Sequence, residues 1–211
     1  MLLNKKIKRS GIMLVVSSPS GAGKTTLARE LISRDRDINL SISVTTRKPR
    51  SSEKNNKDYI FVSEKRFNNM IKKNMFLEHA IVFGNQYGTP RNPTMKKIKL
   101  GKDILFDIDW QGTQALKEKE PKHLVSVFIL PPSTKELEKR LLNRGQDSKE
   151  EVKKRMAEAS SEITHWAEYD YVIINDDLNK TLLKLRSILE AERLKRYRQI
   201  GINDFIRRVI S

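Results

Sequence analysis

The eight residues from 18 to 25 have the types and spacing of a loop that binds phosphate. They read Ser18-Pro19-Ser20-Gly21-Ala22-Gly23-Lys24-Thr25. Glycines let the backbone turn its N–H groups toward phosphate oxygens, and a helix that begins near Lys24 points its positive end at the same anion. Lys24 adds a mobile charge for β- and γ-phosphates, and the Thr25 hydroxyl is placed to ligate Mg²⁺. We therefore predict a site for a nucleoside triphosphate in these eight residues, with Mg²⁺ at Thr25.

The flanking residues support this prediction. An apolar run at 12–16 precedes the loop, and residues 26–32 have the pattern of a helix. Strand, small-residue loop and helix form the order that a P-loop requires. Ser18 stands where the strict pattern has glycine, and its small size should preserve the loop. The alternative is a chance turn of small residues between a core strand and a core helix.

Four side chains further along could hold a second phosphate. Arg47 and Arg50 lie three positions apart in a polar loop, and Tyr59 and Tyr87 follow. Two guanidinium groups and two phenol hydroxyls suit a dianionic monophosphate. The alternative is a solvated basic loop, which is the better interpretation for an arginine pair taken alone.

Apolar runs alternate with helical patterns along the chain. This order predicts an α/β fold, a parallel sheet covered by helices on both faces, with ligands beyond the carboxyl ends of the strands. The predicted core strands are 12–17, 40–44, 104–109, 124–130 and 171–175. The predicted helices after the first are 63–73, 93–100, 133–144, 148–168 and one from 178, and Ser63, Ser133 and Ser148 are expected to cap the helices that follow them. Strands 58–62 and 76–83 and a turn at 84–89 form a small β-rich insertion, and residues 1–11 are predicted as a frayed basic end.

Composition limits the classes of function. The 211 residues predict one domain, and the formal net charge of +16 favours phosphate-bearing partners. The lysines are scattered and aromatic residues make up only 7%, which argues against nucleic acid as the main partner. The chain has no cysteine, which excludes disulfides, thiol catalysis and zinc–thiolate sites and suits a reducing cytoplasm. We expect neither a signal peptide nor a membrane span.

An ordered series of motifs identifies a family. The series is Ser-Val-Thr-Thr-Arg-Lys-Pro-Arg at 43–50, Asp-Tyr-Ile-Phe-Val at 58–62, Phe-Leu-Glu-His-Ala at 76–80, Gly-Asn-Gln-Tyr-Gly-Thr at 84–89 and Asp-Ile-Asp-Trp-Gln-Gly at 107–112, followed by related stretches at 140–147 and 169–177. Together these resemble bacterial guanylate kinase, a P-loop nucleoside monophosphate kinase, over roughly residues 11–196. The resemblance implies transfer of the γ-phosphoryl group from ATP to GMP, giving ADP and GDP.

The resemblance also implies a domain plan. It is one domain over 11–211, with a core of about 11–44, 91–132 and 169–198, a GMP-binding insertion at about 45–90, a helical lid at about 133–168 and a basic tail at 1–10.

The same resemblance also implies which residues bind GMP. The residues that match those holding its phosphate are Arg47, Arg50, Tyr59 and Tyr87. The residues that match those recognising guanine are Ser43, Glu78 and Thr89. Guanine presents N1–H and N2–H₂ side by side, which one carboxylate can accept together. Adenine has an acceptor at N1 and no 2-amino group, so a buried Glu78 would reject AMP. The alternative is that Glu78 is an exposed strand residue.

Three arginines surround the break at Gly145: Arg140, Arg144 and Arg155. The resemblance places them, with Lys24, among the catalytic groups, in a lid that stabilises the transferred group and excludes water. The alternative is that Arg140 and Arg155 only form ion pairs with Glu136 and Glu151. We favour Arg144 because it adjoins Gly145.

Carboxylates and amides at strand ends complete the predicted site. Asp107 and Asp109 end a buried strand, and we favour Asp107 as the one that faces the site, on its GMP side. Asn175 and Asp176 end the last strand and are expected to border the adenine. The alternative for all four is polar capping of strand ends.

Three other functions are open at this point. They are a non-catalytic interaction module of guanylate-kinase type, a monophosphate kinase for another base, and RNA binding. The first should have lost the lysine of the P-loop or the nucleotide-reading residues, and this chain retains Lys24, Thr25, Arg47, Arg50 and Glu78. Only the net charge supports RNA binding.

Overall fold

The computed structural model describes residues 7–82, 84–143 and 149–210. The strands of this part of the chain are β1 (Met13–Ser17), β2 (Ile38–Leu40), β3 (Val44–Thr45), β4 (Ile60–Phe61), β5 (Phe76–Val82), β6 (Asn85–Pro90), β7 (Asp103–Phe106), β8 (Leu124–Leu130) and β9 (Tyr171–Ile174). Five of them form a parallel sheet in the order β2-β7-β1-β8-β9, and the other four form a smaller sheet in the order β4-β3-β6-β5.

The helices are α1 (Lys24–Arg34), α2 (Glu64–Lys72), α3 (Arg91–Lys99), α4 (Trp110–Lys119), α5 (Thr134–Leu142), α6 (Lys149–Ile163), α7 (Leu178–Leu194) and α8 (Ile202–Ile210). Short 3₁₀ segments cover Thr164–Glu168 and Arg196–Arg198. The helix predicted to run to residue 168 is therefore α6 with a 3₁₀ turn after it. Within the described residues, no helix has the length and apolar character needed to cross a membrane.

The central strand β1 has an unbroken apolar sequence because both faces of the sheet are covered. Leu14 and Val16 pack in one hydrophobic cluster with residues of α1 and α7. Met13 and Val15 point to the other face and pack in a second cluster with residues of α3 and α4. Successive strand residues alternate between faces, so a doubly covered strand is apolar throughout. The predicted fold class is confirmed.

The single strand predicted at 40–44 is wrong. β2 ends at Leu40 in the large sheet, and β3 begins at Val44 in the small one. The N–H of Ser41 still donates to Leu105 (2.8 Å), whereas the carbonyl of Ser43 accepts from Ile60 (2.9 Å). The chain passes between sheets within two residues, and the alternation of apolar residues carries no information about the partner strand.

The turn predicted at 84–89 is also wrong, because most of this segment is strand β6. Gly84, with φ of 76°, accounts for the turn, and residues from Asn85 onward pair antiparallel with β5. Thr89 lies opposite Glu78. Glycine and asparagine suggested a loop, but the pairing with β5 determines the conformation. Phe83, the last residue of the strand predicted at 76–83, lies outside the described residues.

Side chains cap several helices, and these caps fix where each helix begins. Ser63 and Ser133 accept from the amides of Arg66 (3.3 Å) and Glu136 (3.1 Å), as their sequence patterns predict. Asp109 accepts from Gly112 (3.0 Å) and starts α4, a helix that the sequence patterns did not indicate. The cap predicted at Ser148 lies outside the described residues.

Asp103 at the start of β7 is fully buried and bound by two arginines. Its carboxylate accepts from Arg9 at 2.7 and 2.9 Å and from Arg193 at 2.6 Å, and also from the amide of Ile12 (2.9 Å). This network ties the N-terminal segment and α7 to the central sheet. The predicted fraying of residues 1–11 therefore does not extend to Arg9, because Arg9 has a buried partner.

We expect Asp103→Asn to lower the free energy of unfolding by about 3 kcal/mol or more, because it leaves two arginines without their shared carboxylate. Urea denaturation followed by circular dichroism measures this loss. The matched control is Glu30→Gln, which breaks the exposed Glu30–Arg34 pair (2.8 Å) and should cost about 0.5 kcal/mol. Equal losses in the two variants would contradict the importance given to the Asp103 network.

Candidate active site

The loop between β1 and α1 offers backbone N–H groups to a ligand. The amide of Ala22 donates to the carbonyl of Pro19 (3.1 Å) and closes a turn. Gly21 and Gly23 have φ of 91° and 98°, a region that other residues adopt only with strain. α1 starts directly after Gly23, which has no side chain to cap it. The first amides of α1 and the positive end of its dipole are thus available to bind an anion.

A cavity of about 600 Å³ opens in front of this loop, and we call it the P-loop cavity. Its size is that of a small-molecule site. The described residues that line it are Ser18–Gly21, Gly23–Thr26, Asp107, and Glu151, Lys154, Arg155, Glu158 and Glu162 of α6. The α6 residues recur at intervals of three and four, so they share one face of the helix.

Lys24 and Asp107 meet at the mouth of the loop. The Nζ atom of Lys24 lies 2.5 Å from Oδ1 of Asp107, and both side chains are partly exposed. Asp109 is placed differently, because its carboxylate caps α4. Of these two carboxylates, Asp107 is the one that lines the P-loop cavity.

A second cavity of about 220 Å³ adjoins the first, and we call it the clamp cavity. Its lining includes Ser43, Glu53, Tyr59 and, again, Asp107. Asp107 therefore lines both cavities. A molecule in each cavity would meet the other beside this carboxylate and the ammonium group of Lys24.

Glu53 organises the predicted phosphate clamp. It accepts from the guanidinium of Arg47 (2.7 Å) and from the backbone amide of Arg50 (2.8 Å). The Arg47 guanidinium lies 5.3 Å from the centre of the Tyr59 ring, and this ring lies 6.0 Å from that of Tyr87. The structure thus brings Arg47, Tyr59 and Tyr87 together, while the Arg50 side chain is exposed.

The bond to Glu53 raises the pKa of Arg47, and the same bond lowers the pKa of Glu53. Both groups are therefore charged throughout the physiological pH range. The pair holds Arg47 in one orientation beside the two phenol rings.

Glu78 and Thr89 form a buried polar pair between β5 and β6. The Thr89 hydroxyl donates to Oε1 of Glu78 (2.6 Å), and Glu78 is only 4% exposed. Burial raises the pKa of Glu78, and nearby Asp109 adds to this shift, whereas the Thr89 bond opposes it. Glu78 is thus not the exposed strand residue of the alternative interpretation. Neither residue is among those that line the two cavities.

The predicted arginines have different surroundings. Arg155 lines the P-loop cavity. Arg140 instead donates to Glu136 (3.0 Å) and to the backbone carbonyl of Asn175 (3.3 Å), and it is absent from the cavity lining that the structure describes. Arg144 lies outside the described residues.

The residues predicted to border adenine also differ from each other. Asp176 is exposed and accepts from the amide of Asp177 (2.9 Å). Asn175 is 5% exposed, and its side-chain amide donates to the carbonyl of Ala22 (2.7 Å). Asn175 therefore contacts the phosphate-binding loop itself.

Two carboxylates near the cavities are not among the site residues predicted from the sequence. Glu53 is one, and Glu162 is the other. An oxygen of Glu162 accepts from the amide of Ser20 (3.2 Å), and both residues line the P-loop cavity. Burial raises the pKa of the Glu162 carboxyl. The available signal was the periodic row of charged residues on α6, which reads equally well as a solvated helix face.

We expect Glu162→Gln to tighten the binding of inorganic tripolyphosphate about threefold or more at neutral pH. The variant keeps the size of the side chain but removes a negative charge that competes with phosphate oxygens at Ser20. Since the pKa of Glu162 is raised, the advantage of the variant should shrink on acidification before ordinary carboxylates protonate.

Isothermal titration calorimetry with wild type, Glu162→Gln and Glu158→Gln tests this expectation. Glu158 lines the same cavity but is exposed, so its removal should matter less. Unchanged or weaker binding by the Glu162 variant would exclude competition at Ser20.

Comparison with known proteins gives a consistent result. The family model described as "Guanylate kinase" matches residues 10–192. A guanylate kinase of Paramagnetospirillum magneticum is 56% identical over 95% of this chain and 94% of its own length, and one of Zymomonas mobilis is 50% identical over 99% and 96%. The crystal structure of guanylate kinase from Anaplasma phagocytophilum superposes with a TM-score of 0.74 at 39% identity, covering 94% of each chain.

Proposed function

Because the chain belongs to the guanylate kinase family, we propose that its two adjoining cavities bind the two substrates of one transfer. The enzyme moves the γ-phosphoryl group of ATP to GMP and forms ADP and GDP. In this proposal ATP occupies the P-loop cavity and GMP the clamp cavity. The observation that carries it is the position of Asp107, which lines both cavities and pairs with Lys24.

The P-loop cavity supplies what a triphosphate requires. Backbone amides of the loop and of the first turn of α1 are proposed to bind phosphate oxygens, and Lys24 offsets charge on the β- and γ-phosphates. Thr25 is exposed at the first turn of α1, and its hydroxyl oxygen is of the ligand type that Mg²⁺ prefers, so this residue would hold the ion. Such an ion, when bound, would neutralise phosphate charge.

The clamp cavity supplies the site for GMP. Arg47, Arg50, Tyr59 and Tyr87 are proposed to bind its phosphate, with Glu53 holding Arg47 in place. Ser43, Glu78 and Thr89 are proposed to read the guanine. Glu78 can accept both guanine donors with its carboxylate, while the Thr89 hydroxyl keeps that carboxylate oriented.

The chemical step requires little besides positioning. A phosphate oxygen of GMP is already ionised and attacks the γ-phosphorus without a general base. The residues must bring two anions together and offset their repulsion, a role we assign to Lys24, Arg47 and Arg155. Asp107 holds the ammonium of Lys24 where the two cavities meet.

We also propose roles for two larger segments of the chain. We assign residues 45–90 to GMP binding and residues 133–168, which contain α5 and α6, to a lid that excludes water from the transfer. Arg144 is assigned to this lid from the motif alone. We place the enzyme in the cytoplasm, where ATP and GMP are available.

A coupled assay of ADP release tests the function directly. With Mg-ATP, turnover with GMP should far exceed turnover with AMP, CMP or UMP. Lys24→Ala should lower kcat at least about 100-fold, because it removes a cation placed where charge develops. Lys99→Ala, on the exposed end of α3, is the matched control and should retain full activity. Turnover with another base would refute the role of Glu78, and no turnover by folded protein would refute the proposal.

The affinity for GMP should depend on the charge of Glu78. Burial raises the pKa of this carboxyl, so it protonates at a higher pH than an exposed glutamate and then accepts fewer hydrogen bonds. GMP binding should therefore weaken on acidification before pH reaches the ordinary glutamate range, near pH 4.3.

Comparison with Glu78→Gln separates this effect from titration of the GMP phosphate, which both proteins share. The ratio of the two dissociation constants, variant over wild type, should fall as the pH is lowered from neutrality toward the ordinary glutamate range. A ratio that stays constant over this interval would show that Glu78 does not bind guanine as a carboxylate.

A further inference from the structure

The side chain of Asn175 reaches the phosphate-binding loop from the end of β9. Its Nδ2 atom donates to the carbonyl oxygen of Ala22 (2.7 Å), and both residues are buried. Its own backbone amide donates to Leu130 (2.8 Å), which continues the pairing of β9 with β8. The amide group is therefore held by the central sheet rather than by a mobile loop.

Asn175 also fills the space beside Gly23. A Cβ atom added to Gly23 would lie 2.5 Å from Nδ2 of Asn175, too close for any real contact. Gly23 has a positive φ of 98° as well. The side-chain amide of Asn175 thus contacts two consecutive loop residues. It forms a hydrogen bond with Ala22 and packs closely against Gly23.

This contact determines the orientation of one peptide group. The described peptide bonds are all trans, so the carbonyl of Ala22 and the N–H of Gly23 point in opposite directions within one plane. Since the carbonyl points to Asn175, the N–H points to the other side of the loop, and Gly23 lines the P-loop cavity.

The backbone of Asn175 is itself supported by α5. Arg140 donates to the Asn175 carbonyl (3.3 Å) while it pairs with Glu136 (3.0 Å). A Cβ atom on Gly21 would lie 3.0 Å from Leu137 and Leu141, so α5 also packs directly on the loop. Asn175 therefore belongs to a layer of contacts behind the phosphate-binding amides.

We propose that Asn175 is a positioning residue for triphosphate binding, which fixes the Ala22–Gly23 peptide so that its N–H faces the phosphates. This replaces the expected contact between Asn175 and adenine. The inference rests on the proposed function only in taking the P-loop cavity as the triphosphate site.

The test compares a ligand that has a base with one that has none. Inorganic tripolyphosphate is used as a competitive inhibitor against ATP, with Asn175→Ala and the equal-sized Asn175→Asp, neither of which can donate to Ala22. Loss of the hydrogen bond should raise the KM for ATP and the Ki of tripolyphosphate by the same factor, about 5- to 30-fold. The KM for GMP should change less than about twofold. Asn203→Ala, on the exposed face of α8, is the matched control and should match wild type.

Three results would overturn the proposal. A rise in the KM for ATP with unchanged tripolyphosphate inhibition would mean that Asn175 contacts the base. Unchanged values for both ligands would mean that the contact does not matter for binding. A parallel rise in the KM for GMP would indicate a general structural role. If wild type itself binds neither ATP nor tripolyphosphate, the proposed function fails instead.

If the variants do not fold, nuclear magnetic resonance of the wild-type protein tests the same proposal without any substitution. The side-chain amide signal of Asn175 should shift to the same position with tripolyphosphate as with ATP. A shift with ATP alone would assign Asn175 to the base and refute the positioning role.

Discussion

Two polyanions must meet at one point in this enzyme, and their mutual repulsion is the constraint that the site is built around. The cations that offset it would also repel one another and sample many orientations if they had no partners. Lys24 is held by Asp107, and Arg47 is held by Glu53. Each carboxylate limits the orientations of its cation, so less conformational entropy would be lost if that cation bound a substrate phosphate.

The central sheet brings these separate parts of the chain to one edge, where they form a site. β7 and β8 lie on either side of β1, and all three run in the same direction. The loop after β1 and Asp107 after β7 therefore reach the same edge of the sheet. Asn175 reaches it from β9, which follows β8 in the sheet. At the opposite end of β7, the buried carboxylate of Asp103 holds the N-terminal segment and α7.

Features that depend on local chemistry were predictable from the sequence. The phosphate-binding loop, the caps at Ser63 and Ser133 and the covered parallel sheet follow from neighbouring residues and their periodicity. Features that depend on contacts between residues distant in the sequence were not predictable. Strand β6 contains a glycine and an asparagine and follows another glycine, so its sequence indicates a turn, and only the pairing with β5 makes it a strand. Glu53 and Glu162 resemble any exposed glutamate, and only the folded chain places one on Arg47 and the other on Ser20.

The mixed charges around the P-loop cavity have a consequence for how salt affects the enzyme. Three cations line it among the described residues (Lys24, Lys154 and Arg155), against four carboxylates (Asp107, Glu151, Glu158 and Glu162). The lining of the P-loop cavity is thus close to neutral, although the chain carries +16. Long-range attraction of nucleotides comes from lysines outside the cavity and is screened within a Debye length of about 8 Å at physiological ionic strength. A rise in salt concentration should therefore lower the association rate constant of ATP by a larger factor than it raises the dissociation rate constant.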